Sequence, residues 1–276
     1  MTFQPEQKIC LHFAHANGFP FGSYRTLVEA LPSHFRISGK EKLGHDPHWP
    51  VSDNWSYIVQ ELLNYLQLHS ESDERVFLVG HSFGAVVSYM AACLAPAKVA
   101  GLIMLDPPLV TGWRSHLVKV LKKTPLIDKI TPAGLAKTRN TQWTGSMDMV
   151  EYFSNKALFA EMDRRCVEDY VHSATKREQN AIRLTFRHDI EAAIFRNVPD
   201  NLNTFAGKLQ CPGLLVTGKD STVCMPYMRD LFIKQNSLEH VIMSGGHMFP
   251  LEYPESTASL IEHTLFRWQN GTRKRD

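Results

Sequence analysis

Gly80-His81-Ser82-Phe83-Gly84 is the stretch of this 276-residue chain whose residue types and spacing are best suited to chemistry. A nucleophilic hydroxyl on a sharp strand-to-helix turn takes a strained backbone. Glycines two residues before and two after leave room for that turn and for the helix that passes beside it. The hydroxyl then stands exposed at the C-terminal edge of a sheet, over the free N–H groups of a helix N-terminus. The pattern alone is common, and its setting gives it meaning. Arg75 to Gly80 is a short apolar run, the mark of a strand covered on both faces, and FGAVVSYMAACLA after Ser82 reads as a buried helix.

A serine nucleophile needs a base, and the base needs an orienting acid. Of 13 histidines, His247 is set apart by its place after the strand-like run His240 to Met243 and after Gly245-Gly246, which permit a tight loop. The acid belongs on a loop after an earlier strand. GLLVTG, Gly213 to Gly218, followed by Lys219-Asp220, supplies Asp220; Asp106, which ends the run Val99 to Leu105, is the alternative. Acyl transfer also needs donors for a developing oxyanion. The backbone N–H of Phe83, next to the serine, is expected to be one. The N–H of Phe19 in the loop His15-Ala16-Asn17-Gly18-Phe19-Pro20 is expected to be the other, with Asn17 as its alternative.

The elements that must position these groups alternate along the chain. The run Ile9 to Phe13 reads as a strand, Ser23 to Ala30 as a helix stopped by Pro32, and GKEKLGHDPHWP as loop. Ser52-Asp53 can cap a helix carrying Trp55, Ile58, Val59, Leu62, Leu63 and Leu66 at helical spacing. Strand, helix, strand, helix, strand argues a parallel sheet flanked by helices. From Val110 to about Phe205 the chain reads as helical, charged and rich in aromatic residues, with no clear strand run. Strands then return at Gly213 and His240, with a helix around Met228 to Lys234 between them and a final helix holding Leu260, Ile261 and Phe266.

With HANGFP, the strand–GHSFG–helix unit, GKD and GGHMFP in this order, the chain resembles the α/β-hydrolase superfamily, in the branch with a helical cap inserted before the acid strand. The resemblance covers about residues 8–108 and 206–268; the cap is matched only in position and helical character. It implies an α/β fold with an eight-stranded, mostly parallel, doubly wound sheet. It also implies a Ser/His/acid triad of Ser82, Asp220 and His247, and no metal or organic cofactor. Residues 1–108 and 206–276 would form the core and 109–205 the cap. Two departures stand out: Ala16-Asn17 separate His15 from Gly18 where many members have His-Gly, and the acid turn is one residue shorter than G-x-x-D. Ser82 stands where dehalogenases and epoxide hydrolases of this fold carry an aspartate, which disfavours those chemistries.

These features lead to an expected serine esterase that cleaves a small-molecule, largely apolar ester through an acyl-enzyme. Thioesterase and C–C bond hydrolase are alternatives on the same triad. A non-catalytic ligand-binding protein on this scaffold is an alternative of another class. Arg183, Arg187 and His188 read as a helical basic face that could meet an anion or simply be solvated, and the cap aromatics and methionines read as an acyl pocket or as the cap's own core. His81 reads as packing. The formal charge is +2, with 43% hydrophobic and 21% charged residues, which gives no reason to expect nucleic acid as partner. Arg273-Lys274-Arg275 reads as a solvated tail. Five cysteines without a CxxC pair suggest neither a disulfide framework nor a zinc site. The start MTFQPEQKIC has no signal core and no stretch reaches the length of a membrane span, so a cytoplasmic protein is expected.

Overall fold

The computed structural model describes residues 9–71 and 74–272. Residues 1–8 and the basic run Arg273-Lys274-Arg275 lie outside them. Among the described residues the strands are β1 (Ile9–Ala14), β2 (Phe35–Ser38), β3 (Val76–His81), β4 (Val99–Leu105), β5 (Gln142–Thr144), β6 (Thr175–Arg177), β7 (Ala181–Leu184), β8 (Gly213–Gly218) and β9 (Glu239–Met243). Six of them form one sheet in the order β2-β1-β3-β4-β8-β9, and every neighbouring pair is parallel. The sheet therefore has six described strands where the family resemblance implies eight. β2 has no counterpart in the sequence reading: FRIS buries only Phe35, and its remaining residues are too polar to signal a strand.

Alternate residues of the central strands enter opposite cores, as the pleat requires. Leu11, Phe13, Phe77, Val79, Ile103, Leu105, Leu214 and Val216 join the core that also holds Leu27, Ile261 and Leu265. Cys10, Val76, Leu78, Leu102, Met104 and Leu215 face the other core, with Ile58, Leu62, Val86, Met90 and Phe232. Helices Ser56–His69, Phe83–Leu94 and Pro226–Asn236 thus cover one face, and Arg25–Glu29 and Pro254–Thr272 the other. Each fully buried Leu, Val or Ile contributes roughly 1.5–3 kcal/mol relative to exposure. Phe266 of the last helix is exposed and adds nothing to the core.

A cap-like insertion separates β4 from β8. The sequence predicts a mostly helical insertion without strands; the structure instead adds a small antiparallel sheet of β5, β7 and β6 in that order. The longest helices of the insertion are Arg164–Ala174, His188–Arg196 and Arg114–Leu121. These short strands carry Arg177 and Arg183 and no continuous apolar run, so only pairing in three dimensions reveals them.

Candidate active site

Ser82 sits between β3 and the helix Phe83–Leu94 with φ 53° and ψ −117°, a left-handed backbone rare for a residue with a side chain. Such strain costs of order 1–3 kcal/mol and persists only when the surroundings enforce it. Here the Ser82 amide donates to the Leu105 carbonyl at 2.8 Å, pinning the turn to the end of β4. The two glycines of the motif are required by close approach. A Cβ on Gly80 would lie 2.4 Å from the Gly84 carbonyl oxygen, and one on Gly84 would lie 2.2 Å from that of Ala14. The helix therefore packs against both its own strand and the end of β1. The Phe83 amide, first in the helix, has no intrahelical acceptor available to it.

His247 bridges two groups. Its Nε2 lies 3.0 Å from Ser82 Oγ and its Nδ1 lies 2.6 Å from Asp106 Oδ2. A carboxylate only accepts, so Nδ1 carries the proton and Nε2 is left to accept from the serine hydroxyl. Asp106 follows β4 directly, is completely buried and holds a positive φ of 43°. Its Oδ1 accepts from the Gly218 amide at 3.2 Å, and its Oδ2 also accepts from the Ser221 hydroxyl at 2.5 Å. A buried carboxylate is costly unless its lone pairs are used, and these three donors use them.

Asp220, the acid expected from the sequence, does not occupy this place. Its side chain is exposed, and its amide donates to the Gly245 carbonyl at 3.0 Å. The reason lies in the turn after β8. β4 and β8 are neighbours, so both acids emerge at the same sheet edge. The turn then wraps Asp106 with Gly218 and Ser221, which leaves Asp220 pointing outward. The histidine loop is held from the other side: Glu252 accepts the Gly246 amide at 2.9 Å.

The loop between β1 and Phe21 differs in detail from expectation. The Phe19 amide closes a tight turn onto the Ala16 carbonyl at 3.1 Å, so it is not a free donor. Ala16 and Asn17, the residues that lengthen the loop relative to His-Gly, make this extra turn. His15 Nδ1 donates to the same carbonyl at 2.8 Å, and its Nε2 accepts the Leu43 amide at 2.8 Å. Asn17 Nδ2 donates to the Glu191 carbonyl at 3.0 Å, tying the loop to the insertion.

His81 does more than pack. Its Nε2 donates to the His247 carbonyl at 2.9 Å, which leaves Nδ1 to accept from the Tyr24 hydroxyl at 2.7 Å. Tyr24 in turn accepts the Ala16 amide at 3.1 Å. This buried chain links the loop after β1 to the backbone of His247. Burial, seconded by the nearby His247, pushes the His81 pKa well below its usual range, so the ring stays neutral as the chain requires. Nothing in the sequence marks Tyr24 for this role.

The insertion presses an ion pair against the same loop. Arg139 Nη1 meets Glu191 Oε2 at 2.6 Å, and Arg139 Nη2 donates to Tyr170 Oη at 3.0 Å. A Cβ on Gly18 would lie 2.8 Å from Glu191 Oε1. Burial opposes the Arg139 charge, but Tyr170 and Glu191 together hold its pKa above the ordinary value. Phe19 packs on Phe159 and Tyr170, with ring centroids 5.5 and 4.9 Å apart, and Phe153 continues the cluster. These rings, with Trp143, are buried and belong to the same apolar cluster as Phe13 and Phe249 of the sheet domain, so they tie the insertion to the main core. The basic residues singled out there do not share a helical face. Arg183 lies in β7 and pairs with Glu178, whereas Arg187 precedes the helix begun by His188 and pairs with Asp189.

A surface concavity of about 690 Å³ is lined by Met147, Met149, His172, Arg177 and their neighbours, and includes neither Ser82 nor His247. Ser82 and His247 lie instead at the sheet edge, where both remain partly accessible. Among the described residues no group of three His, Cys, Asp or Glu side chains is arranged to hold a metal ion, and no helix is long and apolar enough to cross a membrane.

Comparison with known proteins agrees with this architecture. A serine hydrolase-like protein of Homo sapiens is 30% identical over 110 residues, which span 39% of this chain and 53% of that protein. Lipase LipV of Mycobacterium tuberculosis is 30% identical over 146 residues, 52% of each chain. The chain thus spans about half the length of these curated relatives. Among solved structures, E-2-(acetamidomethylene)succinate hydrolase superposes with a TM-score of 0.74 at 17% identity, over 92% of this chain and 90% of that one, which shows a shared fold. The profile described as "Alpha/beta hydrolase family" matches residues 10–260, nearly the whole chain. The protein is a member of the alpha/beta hydrolase family.

Proposed function

We propose that the protein is a serine esterase, with Ser82 as nucleophile, His247 as general base and Asp106 as the acid that orients it. The observation that carries this reading is the unbroken line Asp106–His247–Ser82, at 2.6 and 3.0 Å, ending on a serine with a strained backbone. In the first step Ser82 Oγ attacks the ester carbonyl and its proton passes to His247 Nε2. Asp106 stabilises the imidazolium through Nδ1–H. The Phe83 amide donates a hydrogen bond to the oxyanion; the Phe19 amide, already bonded to the Ala16 carbonyl, is not a free second donor. His247 then protonates the departing alkoxide, leaving an acyl group on Ser82. Water, deprotonated by the same His247, attacks that acyl group; the serine recovers its proton and the acid is released.

Residues 109–205 act as a cap in this reading. Phe19 and Met248, close in sequence to the oxyanion loop and to His247, belong to the same buried apolar cluster as Phe159 of the insertion, which supports a small to medium apolar acyl group. Hydrolysis of p-nitrophenyl esters of increasing chain length, alongside acyl-CoA thioesters, tests the proposal. Turnover of the short and medium esters that vanishes in Ser82→Ala supports it. Turnover of the thioesters alone, or of no acyl substrate, contradicts it.

A further inference from the structure

The helix Arg114–Leu121 turns large apolar residues outward, unlike an ordinary surface helix. Its inward side holds polar groups alongside the half-buried Val118 and Leu121. Ser115 is buried, donating to the Gly112 carbonyl at 2.7 Å and accepting from Asn203 Nδ2 at 3.1 Å. Two turns further along that side, just past the helix, the Lys122 side chain is nearly covered, its Nζ 2.7 Å from Asp200 Oδ2 and also paired with Asp53. The outward face carries large apolar residues as well. Trp113 is 70% exposed, Leu117 48% and Val120 63%, at the spacing of one helical stripe. Leu126, Ile130 and Leu135 extend exposed apolar surface along the following turns. Arg114 lies over both the Trp113 and Tyr227 rings, at 5.4 and 4.2 Å, which joins the stripe to the exposed Tyr227 and Leu231 of the neighbouring helix.

Apolar surface of this extent on a soluble fold marks a contact site, and the charges around it identify the partner. Arg114, Lys119, Lys123 and Lys129 are exposed and have no carboxylate partner among the described residues. The only acidic residue between positions 109 and 147 is Asp128, and it is taken by Arg196 and Lys137. A second copy of the chain docked symmetrically would set these uncompensated cations against each other. An anionic bilayer satisfies both halves: its headgroups meet the cations while Trp113, Leu117 and Val120 enter the acyl boundary. We propose that this face of the insertion binds anionic phospholipid membranes. Trp113 follows Asp106 by seven residues. The contact therefore lies within about 25 Å of the sheet edge that bears Ser82, close enough for a lipid-dissolved substrate to enter from the membrane.

Vesicle flotation tests the proposal without depending on hydrolysis. The full chain is mixed with phosphatidylcholine vesicles with and without phosphatidylserine. The wild type should float only with the phosphatidylserine vesicles and be released by added salt. The triple variant Trp113→Ser/Leu117→Gln/Val120→Gln should lower vesicle affinity at least about tenfold. The variant Lys119→Glu/Lys123→Glu should lower it by about fivefold or more for each lysine. Thermal unfolding of each variant checks that the fold is retained, which is expected because these side chains face outward. The proposal is overturned if the wild type ignores phosphatidylserine vesicles, if it binds neutral vesicles equally well, or if the folded variants bind the vesicles undiminished. Concentration-dependent dimerisation in sedimentation, lost in the triple variant and unaccompanied by flotation, would overturn it in favour of a second copy.

Discussion

Asp106 and His247 meet at 2.6 Å although 141 positions separate them in the chain. Their contact joins the end of β4 to the loop after β9, and a third strand end, that of β8, supplies the donors that hold the carboxylate in place. Replacing Asp106 with Asn removes the acceptor that selects the His247 tautomer, so kcat should fall by about 10³ to 10⁴. Asp220→Asn should change kcat by less than about threefold, since that side chain is exposed and stands outside the line. Steady-state kinetics on one ester compares the two. The reverse ranking would return the acid's role to Asp220.

Tyr24 is the buried link between two loops that must stay in register. Tyr24→Phe leaves both the Ala16 amide and His81 Nδ1 without their partner. A buried group stripped of its partner costs about 1–3 kcal/mol. Urea unfolding should show a loss of that size. Because His81 also holds the His247 carbonyl, kcat should drop several-fold while KM stays close to the wild-type value. A change in KM alone would place Tyr24 at substrate binding instead.

The Arg139–Glu191 pair should be expensive to break and cheap to delete. Glu191→Ala strands a largely buried guanidinium against Tyr170, and a loss of about 3 kcal/mol is expected. Arg139→Met/Glu191→Met together should recover most of that loss, because the charge and its partner go together. Denaturant midpoints of the two variants decide it: a double variant less stable than the single one would mean that the pair itself stabilises the insertion.

Acid should weaken the fold through buried histidines. Burial lowers the pKa of His12 to about 3 and of His15 to about 4, against 6.5 for an ordinary histidine. As pH falls below 6.5 the unfolded chain takes up protons that the folded one refuses, so stability declines; it levels off only below the folded values. Above 6.5 both states are neutral and the contribution is flat. At pH 5 the loss is on the order of 2 kcal/mol for each histidine. Unfolding free energies measured from pH 7 to pH 4.5 should show this decline, and His12→Leu should flatten it. An unchanged slope in that variant would assign the decline to other groups.

The sequence displayed what depends on local pattern. β1, β3, β4, β8 and β9 are apolar runs bounded by turn residues, and the two glycines around Ser82 answer to contacts within a few ångströms. The acid was less legible because Asp106 and Asp220 both follow apolar strands. The choice between them lies in where the Gly218 amide and the Ser221 hydroxyl point, a matter of three strand ends together. The hydrogen bond that occupies the Phe19 amide is hidden for a related reason: it closes a turn onto Ala16 that the loop's sequence does not announce. β6 and β7 each carry an exposed arginine, and β5, β6 and β7 alike have too few apolar residues to leave a strand signature. Tyr24 gives no signal at all, since an aromatic residue of the core and one linked through His81 to the His247 loop look alike in a single sequence.

Mass spectrometry after labelling with a fluorophosphonate tests the central claim most directly. The wild type should carry a single adduct on Ser82, formed at a rate that falls by orders of magnitude in Asp106→Asn and hardly changes in Asp220→Asn. Absence of the Ser82 adduct in the folded wild type, or equal labelling of wild type and Asp106→Asn, would contradict it.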